Sequence, residues 1–205
     1  MTYLGFDILA LDYNRTGPFE ETSRRKFVLA GGIGKRWADE QSAAPAPGRP
    51  FTWTAFGRQE IWELLAFVDA RKGRAVPFWM PSLQPDLSLS ADFSPGASLA
   101  TIRWIRYAQQ MFGTTGARRH LALWTLGNPI FDCCRVVAAS DPGDGITEGL
   151  TLDPPAARDY LVPVTVISFL KLCRLDADQV QVSYPTPGVA EAVIQVRELP
   201  MEAPL

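Results

Sequence analysis

The chain holds a single histidine, His120, within Arg118-Arg-His-Leu-Ala-Leu. An imidazole can serve as the base of a hydrolase triad or as a zinc ligand, but each use needs partners. The sequence has no Gly-x-Ser-x-Gly elbow, no second histidine and no Cys/His ligand spacing, so His120, at the head of an expected strand, reads as structural. Three cysteines, Cys133, Cys134 and Cys173, make an odd count without an export signal, which favours reduced thiols over a disulfide framework. Cys133 and Cys134 are adjacent; on a strand their side chains point to opposite faces and cannot easily share a metal, which leaves buried thiols. Asp176-Ala-Asp178 is a carboxylate pair that could do acid–base work or hold calcium. It supplies too few oxygens for calcium, and with Arg174 nearby it reads as a turn with an ion pair. Asp86 and Asp92 offer nothing stronger. The Gly31-Gly-Ile-Gly-Lys35 run has Leu29 and Arg36 where a phosphate loop needs glycine and a hydroxyl, so it reads as a tight turn. No catalytic residue, cofactor or metal ligand is assigned, and the expectation is a non-enzymatic protein.

The elements that must position these residues are mostly strands. Runs at 2–11, 26–31, 99–108, 120–126, 131–138, 149–152, 162–172, 180–184 and 190–198 are separated by turn material such as Gly127-Asn-Pro, Asp141-Pro-Gly-Asp-Gly and Pro185-Thr-Pro-Gly. Apolar and polar residues take turns in Val180-Gln-Val-Ser-Tyr and in Val193-Ile-Gln-Val-Arg-Glu-Leu, as half-buried strands require. The cadence predicts a mainly β fold, a sandwich or barrel. One helix interrupts it. Ile61, Leu64, Leu65 and Val68, widened by Trp62 and Phe67, fall on one helical face and Glu60, Glu63, Asp69, Arg71 and Lys72 on the other, predicting an amphipathic helix over 58–72 closed by Gly73. Val76-Pro-Phe-Trp-Met-Pro81 then carries too many prolines for a central strand. It reads as an aromatic plug over the core or as a contact surface for a neighbour. Residues 38–50, rich in small residues and proline, predict a mobile loop or arm within a single β-rich domain over 1–205.

Composition excludes several classes. The 20 basic and 22 acidic residues are spread along the sequence and give a formal net charge of -2, no footprint for nucleic acid or an anionic membrane. No apolar run reaches the roughly 20 residues that span a bilayer, and Asp7 interrupts any signal-peptide core. The expectation is a soluble product made in the cytosol.

The order of segments from Phe51 to Pro200 resembles the distal tail proteins and related baseplate components of long-tailed bacteriophages, prophages and gene transfer agents. The resemblance is carried by the helix ending in Gly73-Arg-Ala-Val-Pro-Phe-Trp-Met-Pro-Ser, by Asp86-Leu-Ser-Leu, by Ile167-Ser-Phe-Leu-Lys-Leu-Cys-Arg-Leu-Asp-Ala-Asp and by Val196-Arg-Glu-Leu-Pro. It implies a tube-like β-sandwich with a flanking helix, forming a homo-oligomeric ring, usually a hexamer, between the tail tube protein and the tail-tip hub. The place implied is the virion tail, assembled in the host bacterial cytoplasm, with DNA only in transit through the lumen. Such a ring closes through head-to-tail contacts, so each subunit needs two different surfaces. Pro45 and Pro47 of the arm, with Val76, Phe78 and Trp79 of the aromatic segment, are the candidate interface residues. The iron–sulfur cluster of some tail-hub proteins needs four cysteines, which this chain does not supply. Two other readings stay open: a carbohydrate-binding module stacking sugars on Trp53, Trp79, Trp104 and Trp124, and a hydrolase leaning on Asp176 and Asp178.

Overall fold

The computed structural model describes residues 2–9, 22–24, 27–30, 37–40, 46–82, 84–113, 118–128, 130–199 and 204. Its elements, in chain order, are β1 (Thr2–Tyr3), β2 (Phe6–Asp7), β3 (Thr22–Arg24), β4 (Phe27–Ala30), β5 (Trp37–Glu40), β6 (Ala46–Phe56), α1 (Gly57–Arg71), β7 (Phe78–Pro81) and β8 (Leu99–Arg103). A π-helical turn (Ala108–Phe112) follows, then β9 (His120–Thr125), β10 (Phe131–Ser140), β11 (Thr147–Asp153), β12 (Thr165–Leu175), β13 (Val182–Thr186) and β14 (Val189–Glu198). The chain is mainly β with one α-helix, as its cadence predicts, and its strand ladders do not close into a barrel. The chain divides into two compact units. The first takes its described residues from 1–2, 6–78 and 172–202, the second from 3–5, 79–171 and 203–205.

In the first unit β14 is the central strand. It alternates strictly, burying Ala190, Ala192, Ile194, Val196 and Glu198 and exposing Glu191, Val193, Gln195 and Arg197. It pairs antiparallel with β6 from Val189↔Phe56 to Arg197↔Gly48, and with β13 and the end of β12 on its other side. The expected loop over 38–50 is thereby corrected: 38–40 belong to β5 and 46–50 to β6, while residues 41–45 lie outside the described set. A Pro- and Gly-rich run becomes a strand here because the cross-strand partner, not local propensity, supplies the ladder. Small Ala55, Ala190 and Ala192 are fully buried and leave room for α1 to lie on β6 and β14. The helix starts as Glu60 accepts the Phe56 N–H (2.8 Å) and ends with Lys72 in the left-handed region (φ 50°). Its buried face is narrower than expected, with Leu64 and Arg71 fully covered and Trp62 exposed. Phe67 stacks edge-on against Phe78 (5.1 Å) and beside Trp53 (5.5 Å).

The second unit wraps one sheet around its core. β12 pairs with β9 (Thr165↔Thr125 to Phe169↔Leu121), β9 with β10, β10 with β11, and β11 with β8, all antiparallel. The extended segment between β7 and β8 covers both lateral strands through single bridges, Leu87↔Ile167 on β12 and Leu89↔Ile102 on β8. Leu87, Ile102, Leu121, Val136, Leu150 and Phe169, one from each partner, meet in a continuous apolar cluster. Covering edge strands in this way removes the unpaired backbone that invites aggregation. The expected strand over 99–108 stops at Arg103, and the chain turns at Arg106 (φ 63°) into the π-helical turn.

Candidate functional site

His120 opens β9 and is completely buried. Its Nε2 lies 2.8 Å from the carbonyl oxygen of Pro204, which can only accept, so Nε2 carries the proton. Nδ1 is then a bare acceptor and takes the Tyr3 hydroxyl proton at 3.1 Å. The ring leans on Trp79 (centroids 4.6 Å apart), whose indole N–H donates to the carbonyl of Tyr3 at 2.8 Å. Burial holds the imidazole below its ordinary pKa; the Pro204 bond opposes the shift, and Arg135 and Arg119 add to it. Burial also raises the Tyr3 phenol. With both nitrogens engaged and no exposed atom, this imidazole is arranged to hold chain segments together, in line with the structural reading of the sequence.

Two carboxylate clusters, one fully buried and one half-buried, carry no local sequence signal. Glu148 is fully buried on β11, and its carboxylate accepts the backbone N–H groups of Ile105, Tyr107 and Ala108, each at 3.0 Å. It holds the left-handed turn at Arg106 and the start of the π-helical turn. Asp132 on β10 receives Arg158 through two nitrogens (2.8 and 3.2 Å) and the Tyr160 hydroxyl at 2.7 Å. Tyr160 is buried against Phe93 and its phenol is pushed up, first by burial and then by donating to Asp132. A fully buried charge such as that of Glu148 is tolerable when its oxygens are met in this way.

The cysteines are buried, as expected. Burial raises the Cys133 thiol to about 12 and the Cys134 thiol further. The Asp176/Asp178 pair does not converge on a site: Asp178 lies against Gly73 and accepts the N–H of Arg74 at 3.3 Å. Among the described residues no group of three or more His, Cys, Asp or Glu side chains converges to hold a metal, and no helix is long and apolar enough to cross a membrane.

The five candidate interface residues fare differently. Phe78 and Trp79 are 0% exposed, so they are core and offer no surface to a neighbour in this conformation. Val76 is half-buried. Pro45 lies outside the described residues, and of Pro47 only the backbone, within β6, is described. Arg71, placed on the polar face of α1 by its charge, is buried; it is ion-paired with Asp7, donates to the Pro77 carbonyl (3.2 Å) and caps the Phe67 and Phe78 rings. Its spacing of seven from Leu64 was the available signal.

Large exposed side chains lie elsewhere. The first unit shows Phe56 (57%) and Trp62 (68%) around the β6–α1 junction. The second shows Leu126 (62%), Ile130 (57%) and Leu161 (50%) at one end of its sheet. There the β9–β10 turn meets the turn before β12 through Leu126 N–H to the Val164 carbonyl at 2.8 Å. No protein-family model matches the chain, and no curated protein is similar to it.

Proposed function

We propose that this chain is a structural, non-enzymatic component of a phage-like tail tip, a ring subunit joining the tail tube to the hub or baseplate. The sequence resemblance from Phe51 to Pro200 suggests the family, and the mainly antiparallel β fold with a single flanking helix is consistent with it. One observation carries the assembly reading: each unit presents its own exposed apolar set, Phe56 and Trp62 on one, Leu126, Ile130 and Leu161 on the other. A head-to-tail ring needs two non-identical surfaces, and each of these sets is a candidate for one of them.

Light scattering coupled to size exclusion, with negative-stain imaging of the same fractions, tests the reading. Closed rings, alone or on purified tail tubes, are expected; a chain that stays monomeric at high concentration and in the presence of tubes counts against it. The carbohydrate-binding alternative loses ground on its own terms. Trp53 and Trp79 are buried and Trp104 and Trp124 half-buried, which leaves little flat aromatic surface at the four positions it invokes.

A further inference from the structure

We propose that the sheet face of the first unit turned away from α1 receives a second copy of this chain, packed face to face about a two-fold axis with the two β14 strands antiparallel. Alternation along β14 puts Glu191, Val193, Gln195 and Arg197 on this face, and all four are exposed. Their register partners on β6, Thr54, Thr52, Pro50 and Gly48, lie on the same face. The opposite face is the covered one: Ala55, Ala190 and Ala192 are fully buried, and Trp53 lies 5.5 Å from Phe67 of α1. Val193, 59% exposed beside half-buried Thr52, gives the open face a flat, β-branched centre of the kind that stacks on another sheet.

The charges on this face select the occupant. Glu191 and Arg197 stand six residues apart on one strand, about 20 Å, too far to pair within one copy. Among the described residues neither side chain has an ion-pair partner. Ser183 flanks Glu191 on β13, so that end is acidic. Arg174 flanks Arg197 on β12; Asp176, beside Gln195, offsets one of these two arginines and leaves that end net positive. Turning the strand end over end about an axis at Ile194 sets Glu191 against the partner's Arg197 and Arg197 against the partner's Glu191, with Val193 against the partner's Gln195. The row Glu-x-Val-x-Gln-x-Arg is its own charge complement when reversed, as a two-fold contact requires. Stacking the strands parallel would oppose glutamate to glutamate and arginine to arginine, so charge also fixes the direction. Stacked sheets lie about 10 Å apart, a gap that a glutamate and an arginine reaching toward each other bridge. The open face measures roughly 30 by 15 Å, so the contact buries on the order of 1,000 Å² in total, at the low end for specific interfaces. It is separate from the Trp62 surface, which belongs to the helix on the other side of the sheet.

Sedimentation velocity of the full chain over a concentration series tests this. The wild type should show a monomer–dimer equilibrium with a dissociation constant on the order of 10–100 µM that weakens as salt is raised. Glu191→Arg and Arg197→Glu change exposed positions, and each alone should dimerise about tenfold more weakly or worse. Mixed in equal amounts, the two should associate with each other within about threefold of the wild-type constant, because one copy then carries arginine at both positions and the other glutamate at both. Where rings form as well, the same comparison in a Trp62→Glu background reads the loss of rings and the loss of this dimer separately. If either charge variant fails to fold by circular dichroism, cross-linking decides. The native thiols are buried, so a short bismaleimide should join Glu191→Cys to Arg197→Cys in a mixture and should join neither variant to itself. A wild type still monomeric at about ten times the expected constant, single variants that dimerise like the wild type, a mixture that does not recover association, or cross-linking of either cysteine variant to itself would overturn the proposal.

Discussion

At the scale of single residues, the buried polar groups of the second unit are positioned by backbone they themselves hold. Glu148 is the clearest case, since three N–H groups of a non-strand segment terminate on one carboxylate. Glu148→Gln keeps the shape but removes the charge and one acceptor oxygen. It should lower stability by about 2 kcal/mol, because buried donors left unmet cost about 1–3 kcal/mol each. Urea denaturation compared with wild type checks this, and a loss of unfolding free energy below a tenth of that size would show that the segment finds other acceptors. Burial and the high thiol pKa also predict chemical silence: at pH 8 iodoacetamide should label neither Cys133 nor Cys134 in the folded protein and both after denaturation, read by mass spectrometry.

At the scale of elements, the end of α1 depends on one glycine. Gly73 has φ +63°, and a Cβ there would come within 2.9 Å of Asp178 Oδ1 and 3.1 Å of its Cα. Gly143 shares the left-handed backbone (φ +79°) but has nothing within 4 Å of a Cβ position. Gly73→Ala should therefore cost more than Gly143→Ala: about 2–3 kcal/mol against about 1, the second being the conformational penalty alone. Equal thermal shifts for the two variants would mean that the Asp178 turn yields freely. The comparison isolates close approach from backbone strain.

At the scale of the whole molecule, Trp62 within α1 and Trp79 on β7 have opposite assignments. Trp79 is wholly buried and its indole N–H is bound, so Trp79→Ala should destabilise by about 3–5 kcal/mol, as large core truncations do, and leave little folded protein to assemble. Trp62 is 68% exposed, so Trp62→Glu should leave thermal stability within about 0.5 kcal/mol of wild type. On the ring reading it should abolish assembly of a subunit whose circular dichroism is unchanged. Rings formed normally by Trp62→Glu would remove the β6–α1 surface from the interface.

Much of the fold was legible because its signals are local. The strands at 120–126, 131–138 and 190–198 announce themselves by their bounding turns, the last also by alternation, and the helix by its 3.6-residue repeat and its glycine stop, so sequence alone determined a mainly β chain with one helix. What the sequence could not carry is what covers each face. Alternation assigns Trp79 to a side of the chain but not to core or neighbour; charge puts Arg71 in water until Asp7 and two aromatic rings enclose it. Ala46–Phe56 contains Pro47, Gly48 and Pro50 and becomes a strand only because β14 lies alongside. Glu148 and the His120 cluster join residues about 40 and more than 80 positions apart. Their roles belong to tertiary structure because burial and hydrogen-bond closure are non-local, whereas propensity and periodicity are read over a few neighbouring residues.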